Sequence, residues 1–182
     1  MITNDVLREV ILSQREILGK SEKGISREKK EHIKIDSSFA VIITGIRRCG
    51  KSTLLNQIIG EQEKSYYLNL EDTRLEGFEL SDFNKAEKIF KGVYGEGGIY
   101  FFDEIQNVDK WEKFVRNLVD RKERVVITGS NASLLSRELG TKLTGRHLQV
   151  ELFPFSFKEF LGMKKQKASL EIFDDYMNEG GF

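Results

Sequence analysis

The sequence predicts an α/β fold, in which a parallel β-sheet carries helices on both of its faces. Three observations support this prediction. From Ile35 onward short apolar runs alternate with amphipathic stretches of helical periodicity, one apolar run leads into a glycine-rich loop, and another ends in two adjacent carboxylates. Alternation of strands and helices is typical of a parallel sheet, because the connection between two parallel strands crosses a face of the sheet as a helix.

Five strands are predicted from short runs rich in aliphatic and aromatic residues. They cover residues 39–43, 66–70, 99–102, 125–128 and 147–152. The first run is interpreted as a buried strand that feeds the glycine-rich loop. The third follows Gly97 and Gly98, which mark the turn before it.

Four helices are predicted between and after these strands. The first leaves the glycine-rich loop over residues 52–59, and the second covers residues 82–93. The third follows Asp109, which forms a capping-box pattern with Glu112, and Ser156 with Glu159 predicts the same cap for a fourth, short helix. Apolar residues at helical spacing in the last three helices are expected in the core: Phe83, Ala86, Ile89, Phe90, Val93, Trp111, Phe114, Val115, Leu118, Val119, Phe157, Phe160 and Leu161.

Residues 1–34 precede this alternation and are predicted to form an N-terminal helix and a charged linker, with the main domain over residues 35–182. Apolar residues at helical spacing predict the helix over residues 3–19. It either packs on the main domain or serves as a partner-binding arm, and we favour the first interpretation. Residues 20–34 carry many charges and few apolar side chains, which indicates a linker or a solvated turn.

Composition excludes several classes of protein. The 182 residues suggest one domain, and 29 Lys and Arg balance 29 Asp and Glu, so no bulk basicity indicates nucleic-acid binding, although a local patch is not excluded. A single Cys rules out an intrachain disulfide, and with two His a structural zinc site is not expected. The N-terminus lacks the pattern of a secretory signal, and no apolar run approaches the roughly 20 residues that span a bilayer. We therefore expect a cytoplasmic protein without a membrane partner.

Gly45 to Ser52 match G-x-x-x-x-G-K-[ST], the loop that holds phosphates in nucleoside triphosphatases. The two glycines let backbone N–H groups point at phosphate oxygens, at a helix N-terminus that already favours anions. Lys51 is predicted to reach the β- and γ-phosphates, and the Ser52 hydroxyl to bind Mg²⁺. The residues predicted to contact the nucleotide are Gly45, Ile46, Arg47, Arg48, Cys49, Gly50, Lys51, Ser52 and Thr53.

The strand 99–102 is followed by Asp103 and Glu104. A carboxylate at the carboxyl end of a strand lies where ligands of open α/β sheets bind, so Asp103 is predicted to hold Mg²⁺ opposite the phosphate-binding loop. Glu104 is placed to orient and deprotonate a water molecule that attacks the γ-phosphate. Adjacent acids at a strand end also occur merely because they face solvent, and this alternative has more weight for Glu104.

Two further polar residues are candidates for the same site. Asn131 follows the fourth strand and is predicted to hydrogen-bond the γ-phosphate or the attacking water, although Ser130 or Asn131 would also suit a helix cap. Arg146 precedes the fifth strand and would neutralise charge in the transition state, with an exposed surface arginine as the alternative. The string Asn-Lys-x-Asp, typical of guanine recognition, is not found after the strand that ends in Asp103, which favours ATP.

Several stretches resemble the prokaryotic AAA+-type P-loop ATPases that couple this domain to a C-terminal domain of unknown function. They are GIRRCGKSTLL, YFFDEIQNVDKWEKFVRNLVD, ITGSNASLL, LTGRHLQVELFPFSFKEFL and the terminal Gly-Gly-Phe. The resemblance covers roughly residues 36–182. It implies a P-loop NTPase three-layer α/β sandwich of the additional-strand catalytic-Glu division, with strand order 5-1-4-3-2.

The resemblance also assigns roles to residues of this chain. The family's Walker A positions correspond to Gly45, Gly50, Lys51 and Ser52, and its Walker B positions correspond to Asp103 and Glu104. Its sensor 1 position corresponds to Asn131, and the arginine of its Gly-Arg motif corresponds to Arg146. Family members continue past the Gly-Gly-Phe, so the chain is expected to be an N-terminal fragment. Nucleic-acid binding by the missing part, if any, is not assigned to these residues.

Together these observations predict a Mg²⁺-dependent ATPase domain in which loss of the γ-phosphate changes a contact with a partner. The catalytic residues would be Lys51, Glu104, Asn131 and Arg146, and the cofactors ATP and Mg²⁺. The alternative is an ATP-gated binding switch, or a regulatory module associated with nucleic acid, that turns over little. Self-association or a protein partner is compatible with either hypothesis.

Overall fold

The computed structural model describes residues 2–21, 24–129, 143 and 145–181. Its centre is a sheet of five parallel strands: β1 (Ala40–Thr44), β2 (Ser65–Asn69), β3 (Ile99–Asp103), β4 (Val125–Gly129) and β5 (His147–Glu151). They lie in the order β2-β3-β4-β1-β5. This is the predicted order read from the opposite edge, so both the fold class and the topology are confirmed.

Six helices surround this sheet among the described residues. They are α1 (Asn4–Lys20), α2 (Lys51–Ile59), α3 (Asp82–Tyr94), α4 (Trp111–Asp120), α5 (Phe157–Lys164) and α6 (Leu170–Glu179). Short 3₁₀ turns cover Glu28–His32, Thr73–Leu75 and Ile105–Asn107. In the part of the chain that the structure describes, no helix combines the length and the apolar character needed to cross a bilayer.

The two faces of the sheet support two separate hydrophobic clusters, because successive side chains of a strand point to opposite faces. Ala40 and Ile42 of β1 belong to one cluster, which also contains apolar residues of α1, α3 and α4. Val41 and Ile43 point the other way and pack with residues of α2. All residues of β1, β3 and β4 are buried, whereas the edge strand β5 is half-exposed. The layers therefore hold the carboxyl ends of β1, β3 and β4 in fixed register.

The N-terminal helix α1 packs on the main body of the protein, as the interpretation we favoured predicts. Leu7, Val10 and Ile11 are fully buried in the cluster that also holds α3 and α4. The buried Gln14 pairs with the backbone of the edge strand β2: its Oε1 accepts from Asn69 N at 2.8 Å and its Nε2 donates to Asn69 O at 3.0 Å. A side-chain amide thus occupies the place of a further strand and satisfies backbone groups at the sheet edge.

Three local predictions differ in outcome. Ser156 and Glu159 form the predicted capping box at the start of α5. The N-cap of α4 is Lys110 rather than the predicted Asp109, so that assignment was wrong. The reason is that Val108 and Trp111 are both buried and the chain joins them through a left-handed Lys110, which starts the helix later. Helix α6, which has no buried residue, was not predicted.

The pairing of Gln14 with the edge strand yields a stability prediction. Gln14→Ala should lower the free energy of unfolding by about 1–3 kcal/mol, because it leaves partly buried backbone groups of Asn69 without their Gln14 partner. Glu16→Ala on the same helix is the matched control: Glu16 and Lys20 form an exposed i,i+4 pair, and such pairs contribute about 0.3–0.5 kcal/mol. Urea denaturation of both variants measures the difference, and equal losses would contradict the edge-pairing role.

Candidate functional site

The glycine-rich loop joins β1 to α2 at the carboxyl edge of the sheet. Both of its fixed glycines lie in close approach to neighbouring groups. A Cβ on Gly45 would lie 2.3 Å from the carbonyl oxygen of Leu152, and a Cβ on Gly50 would lie 2.8 Å from Nη1 of Arg27. Gly50 also has a φ of +94°, a left-handed conformation that disfavours other residues, immediately before α2 begins. The loop backbone is therefore packed tightly from behind and open toward the carboxyl edge of the sheet.

Lys51, the first residue of α2, is buried although it is charged, with a relative exposure of 4%. Its ammonium donates to the carbonyl oxygens of Gly45 at 3.2 Å and Ile46 at 3.1 Å, so it lies across the loop. Nζ is also 3.8 Å from Oε1 of Glu104. The helix N-terminus and this ammonium together give the loop a positive potential suited to an anion.

Asp103 is the buried carboxylate opposite the loop, with a relative exposure of 1%. It accepts hydrogen bonds from three hydroxyls: Thr128 donates to Oδ1, Tyr67 donates to Oδ2 at 3.4 Å, and Ser52 is the third donor. Burial raises the pKa of the Asp103 carboxyl, and the Glu104 charge acts in the same direction, whereas the hydrogen bonds from Thr128 and Ser52 and the Lys51 charge oppose this. A cation placed beside Asp103 would compensate its desolvation.

Glu104 follows with a left-handed backbone, φ +52°, which is costly for a residue that carries a side chain. This turn ends the strand and directs Glu104 into the cavity instead of along the sheet. The Glu104 amide donates to Thr128 Oγ1 at 3.1 Å, and its carboxylate accepts from Gln106 Nε2 at 2.6 Å. Thr128 therefore bridges the two acids, since its hydroxyl donates to Asp103 and accepts from Glu104.

Lys51, Ser52 and Glu104 line a cavity of about 460 Å³, whereas Asp103 lies buried beside it. Its lining residues are Arg47, Arg48, Gly50, Lys51, Ser52, Thr53, Glu71, Glu104, Gln106 and Asn107. A larger cavity of about 980 Å³ lies beside it, along the connection from β2 to α3, and shares Glu71 and Asn107 with it. The larger cavity contains none of the loop residues, so the residues predicted to contact phosphates line the smaller one.

The donor set fits a nucleotide that brings its own metal ion. Among the described residues no cluster of three or more His, Cys, Asp or Glu side chains could hold a metal. Magnesium does not require such a cluster, because in nucleotide sites it is held by one or two protein oxygens, phosphate oxygens and water. Ser52 and Asp103, which hydrogen-bond each other, offer those protein oxygens.

The structure does not bring every predicted residue into this site. Asn131 lies outside the described residues. Arg146 lies at the opposite edge of the sheet: its carbonyl accepts from the amide of Ala40 at the start of β1, and its Nη2 is 2.5 Å from Oδ1 of Asp120 at the end of α4. Because β1 has five residues, the amino ends of the strands lie about 13 Å from their carboxyl ends, where the loop is. Arg146 therefore cannot reach the loop of its own chain.

Sequence reasoning missed the side chains that orient the two acids. Thr128 is a polar residue at the end of an otherwise apolar strand, which was a usable signal. Tyr67 and Gln106 carried none, because their contacts depend on the neighbouring strand and on the turn after β3. The largest miss is Arg27, which is 3% exposed although it lies in the segment predicted to be a solvated linker. Its neighbours Glu28 and Lys29 are exposed as predicted.

Comparison with known proteins places these features in a family. A family model described as an AAA domain matches residues 37–161, which is more than half of the chain. An uncharacterized protein of Methanocaldococcus jannaschii is 41% identical over the whole chain, and one of Haemophilus influenzae is 39% identical over 81% of it. The chain spans 44% and 40% of the lengths of these two relatives.

Solved structures with a related arrangement are more distant. The alignment with AMPPCP-bound DnaA from Aquifex aeolicus covers 92% of this chain and 56% of the DnaA chain, at a TM-score of 0.48 and 14% sequence identity. PCH-2 of C. elegans aligns with 97% of this chain and 47% of its own, at a TM-score of 0.44 and 14% identity.

The contacts of Thr128 yield a prediction with a pH signature. Thr128→Val removes a hydroxyl from one buried and one partly buried hydrogen bond, and it should cost about 1–3 kcal/mol of stability at pH 7. Without that hydrogen bond the pKa of Asp103 rises further in the folded state, so the folded protein binds this proton more tightly. The destabilisation should therefore increase as the pH rises through this raised pKa, and it should be smallest at lower pH, where the carboxyl is protonated in the folded state of both proteins.

Urea denaturation between pH 4 and pH 8 measures this effect. Thr44→Val is the matched control, since Thr44 is a buried threonine at the end of the neighbouring strand whose hydroxyl accepts from Gln149 at 3.5 Å. The control should lose stability without a change in pH dependence. Parallel pH profiles for the two variants would contradict the role of Thr128 in holding the Asp103 carboxylate.

Proposed function

This chain belongs to the AAA-domain family, and we propose from that premise that it binds Mg²⁺ and ATP and hydrolyses the β–γ phosphoanhydride bond. One observation carries the proposal. A single cavity joins the Lys51 ammonium, the N-terminus of α2 and the Glu104 carboxylate, with the buried Asp103 hydrogen-bonded to Ser52 beside it. This combination supplies positive potential for phosphates, oxygens for a metal ion and a base for water.

In the proposed binding step, Lys51 exchanges its contacts with the carbonyls of Gly45 and Ile46 for phosphate oxygens. Backbone N–H groups of the loop and of the first turn of α2 supply further hydrogen bonds. Ser52 and Asp103 would hold the magnesium ion, which supplies charge neutralisation for the β- and γ-phosphates when bound. The three hydroxyls on Asp103 keep its carboxylate oriented before the ligands arrive, so little reorganisation is needed.

In the proposed hydrolytic step, Glu104 accepts a proton from the attacking water. The water oxygen forms a bond to the γ-phosphorus, the bond from that phosphorus to the bridging oxygen breaks, and ADP keeps the bridging oxygen. The Gln106 amide holds one carboxylate oxygen of Glu104, and the other lies 3.8 Å from Nζ of Lys51, so the carboxylate is held in the cavity where the proposed water would bind. The left-handed backbone of Glu104 is consistent with a residue held in place for chemistry.

Two proposed contributors lie outside this constellation. Asn131 would contact the γ-phosphate or the water, as its sequence position suggests. Arg146 would stabilise transition-state charge from a second copy of the chain, because it lies at the far edge of its own sheet. A change in that contact on hydrolysis would couple turnover to self-association.

An ATP-gated binding switch with little turnover is the second candidate function. The position of Arg146 favours it for a single chain, since a site without an arginine finger hydrolyses slowly. Both candidate functions use the same residues to bind ATP, but only the ATPase requires Glu104 to accept a proton from water. Steady-state hydrolysis measured together with binding separates them.

Glu104→Gln should bind Mg·ATP like wild type but lower kcat by about 10²- to 10⁴-fold, because the amide cannot accept the proton. Lys51→Ala should instead weaken ATP binding, since it removes the buried ammonium. Phosphate release and calorimetric titration measure the two effects, with Lys29→Ala as an exposed control. Wild-type binding without any hydrolysis, even at high protein concentration, would favour the switch, and no binding would contradict both candidates.

Arg146→Ala should bind ATP normally and lose about 10³-fold or more in turnover if it acts as a finger. Mixing Arg146→Ala chains with Glu104→Gln chains tests the trans arrangement, because each variant then supplies the group that the other lacks. We expect the mixture to regain hydrolysis that neither variant has alone. A mixture as inactive as its components would contradict action between copies.

A further inference from the structure

Arg27 is a buried arginine behind the phosphate-binding loop, and three segments of the chain converge on its guanidinium. Nε donates to Oε1 of Glu159 in α5 at 2.9 Å, Nη1 to the carbonyl of Cys49 in the loop at 2.5 Å, and Nη2 to the carbonyl of Phe153 after β5 at 2.6 Å. The guanidinium carbon also lies 4.8 Å from the centroid of the Phe155 ring. The planar fork of an arginine matches this set of acceptors, which a single ammonium cannot span.

The partners of Arg27 are themselves fixed. Gln57 of α2 accepts from the Arg27 amide at 3.4 Å and donates to the carbonyl of Ile25 at 2.7 Å, which ties the Arg27 backbone to the helix that follows the loop. Glu159 also accepts from the amides of Glu28 at 2.8 Å and Ser156 at 2.9 Å. Arg27 therefore holds the loop against a rigid base formed by α2 and α5.

The contact with Cys49 determines which way a loop peptide faces. In a trans peptide the C=O and the following N–H point in opposite directions. Arg27 binds the Cys49 carbonyl from behind the loop, so the N–H of Gly50 is directed to the other side. Gly50 lines the cavity on that side, and Nη1 lies so near to Gly50 that a Cβ there would be at 2.8 Å.

We propose that Arg27 is a positioning residue for the phosphate-binding loop: it fixes the peptide between Cys49 and Gly50 so that the loop is organised before nucleotide binds. This inference depends on the proposed function only for the identity of the ligand, which is a nucleotide. Stability alone does not explain the arrangement, because a buried ion pair is often no more stabilising than apolar side chains of the same volume. A group that orients a loop peptide through hydrogen bonds has a role that apolar packing cannot supply.

Arg27→Lys is the test, since it retains the positive charge and most of the volume but loses the fork. Without nucleotide, hydrogen–deuterium exchange of the amides of residues 46–52 should accelerate relative to those of β3. The dissociation constant for Mg·ATP should rise by about 10- to 100-fold, as expected for loss of hydrogen bonds from a charged group. Arg15→Lys is the matched control, because Arg15 donates to Ser65 Oγ at 2.8 Å at the opposite edge of the sheet.

Glu159→Gln provides a second variant that keeps an oxygen acceptor for Arg27 but removes the charge. It should change loop exchange and affinity in the same direction by a smaller factor, and it decides the question if Arg27→Lys does not fold. Loop exchange and affinity indistinguishable from those of Arg15→Lys would overturn the inference. Wild-type protein that binds no ATP would contradict the proposed function instead, while the exchange measurement, which needs no nucleotide, still tests Arg27.

Discussion

The tight packing behind the loop between β1 and α2 is the constraint on which the rest of the structure depends. The loop backbone lies against the Leu152 carbonyl at Gly45 and against Arg27 at Gly50, where the left-handed φ also favours glycine. Because the back of the loop is filled by Arg27, which binds the Cys49 carbonyl, Gly50 and Lys51 line the cavity on the other side. Every group that we assign to nucleotide binding takes its place relative to this loop.

The same edge tolerates buried charge because each charged group has defined partners. Lys51 has two carbonyls, Asp103 has three hydroxyls, and Arg27 has a carboxylate, two carbonyls and an aromatic ring. Burying a charge without such partners costs several kcal/mol, so these networks are conditions for the fold as well as for the site. They also explain why Thr128→Val and Glu159→Gln are informative. Each substitution alters one hydrogen-bond partner of a buried charged group and leaves the side-chain volume nearly unchanged.

The location of Arg146 separates the proposed catalytic arginine from the residues proposed to bind the nucleotide. The groups that we propose for holding phosphates and metal come from one chain, whereas the arginine that the family resemblance assigns to catalysis lies at the far edge of the sheet, paired with Asp120. If that assignment is right, binding is a property of one chain and efficient hydrolysis a property of two. A relation of this kind would connect nucleotide state to association.

The sequence by itself determined the parallel α/β fold, all five strands, the glycine-rich loop and the two acids at the end of β3. These features are local: the spacing of apolar residues and the glycine-rich motif report conformations that the chain adopts over a few neighbouring positions. Only the tertiary structure decided which side chains support the acids, where Arg146 lies and that Arg27 is buried. Arg27 meets Cys49 and Glu159 across separations of 22 and 132 residues, and no local pattern encodes contacts between segments so far apart.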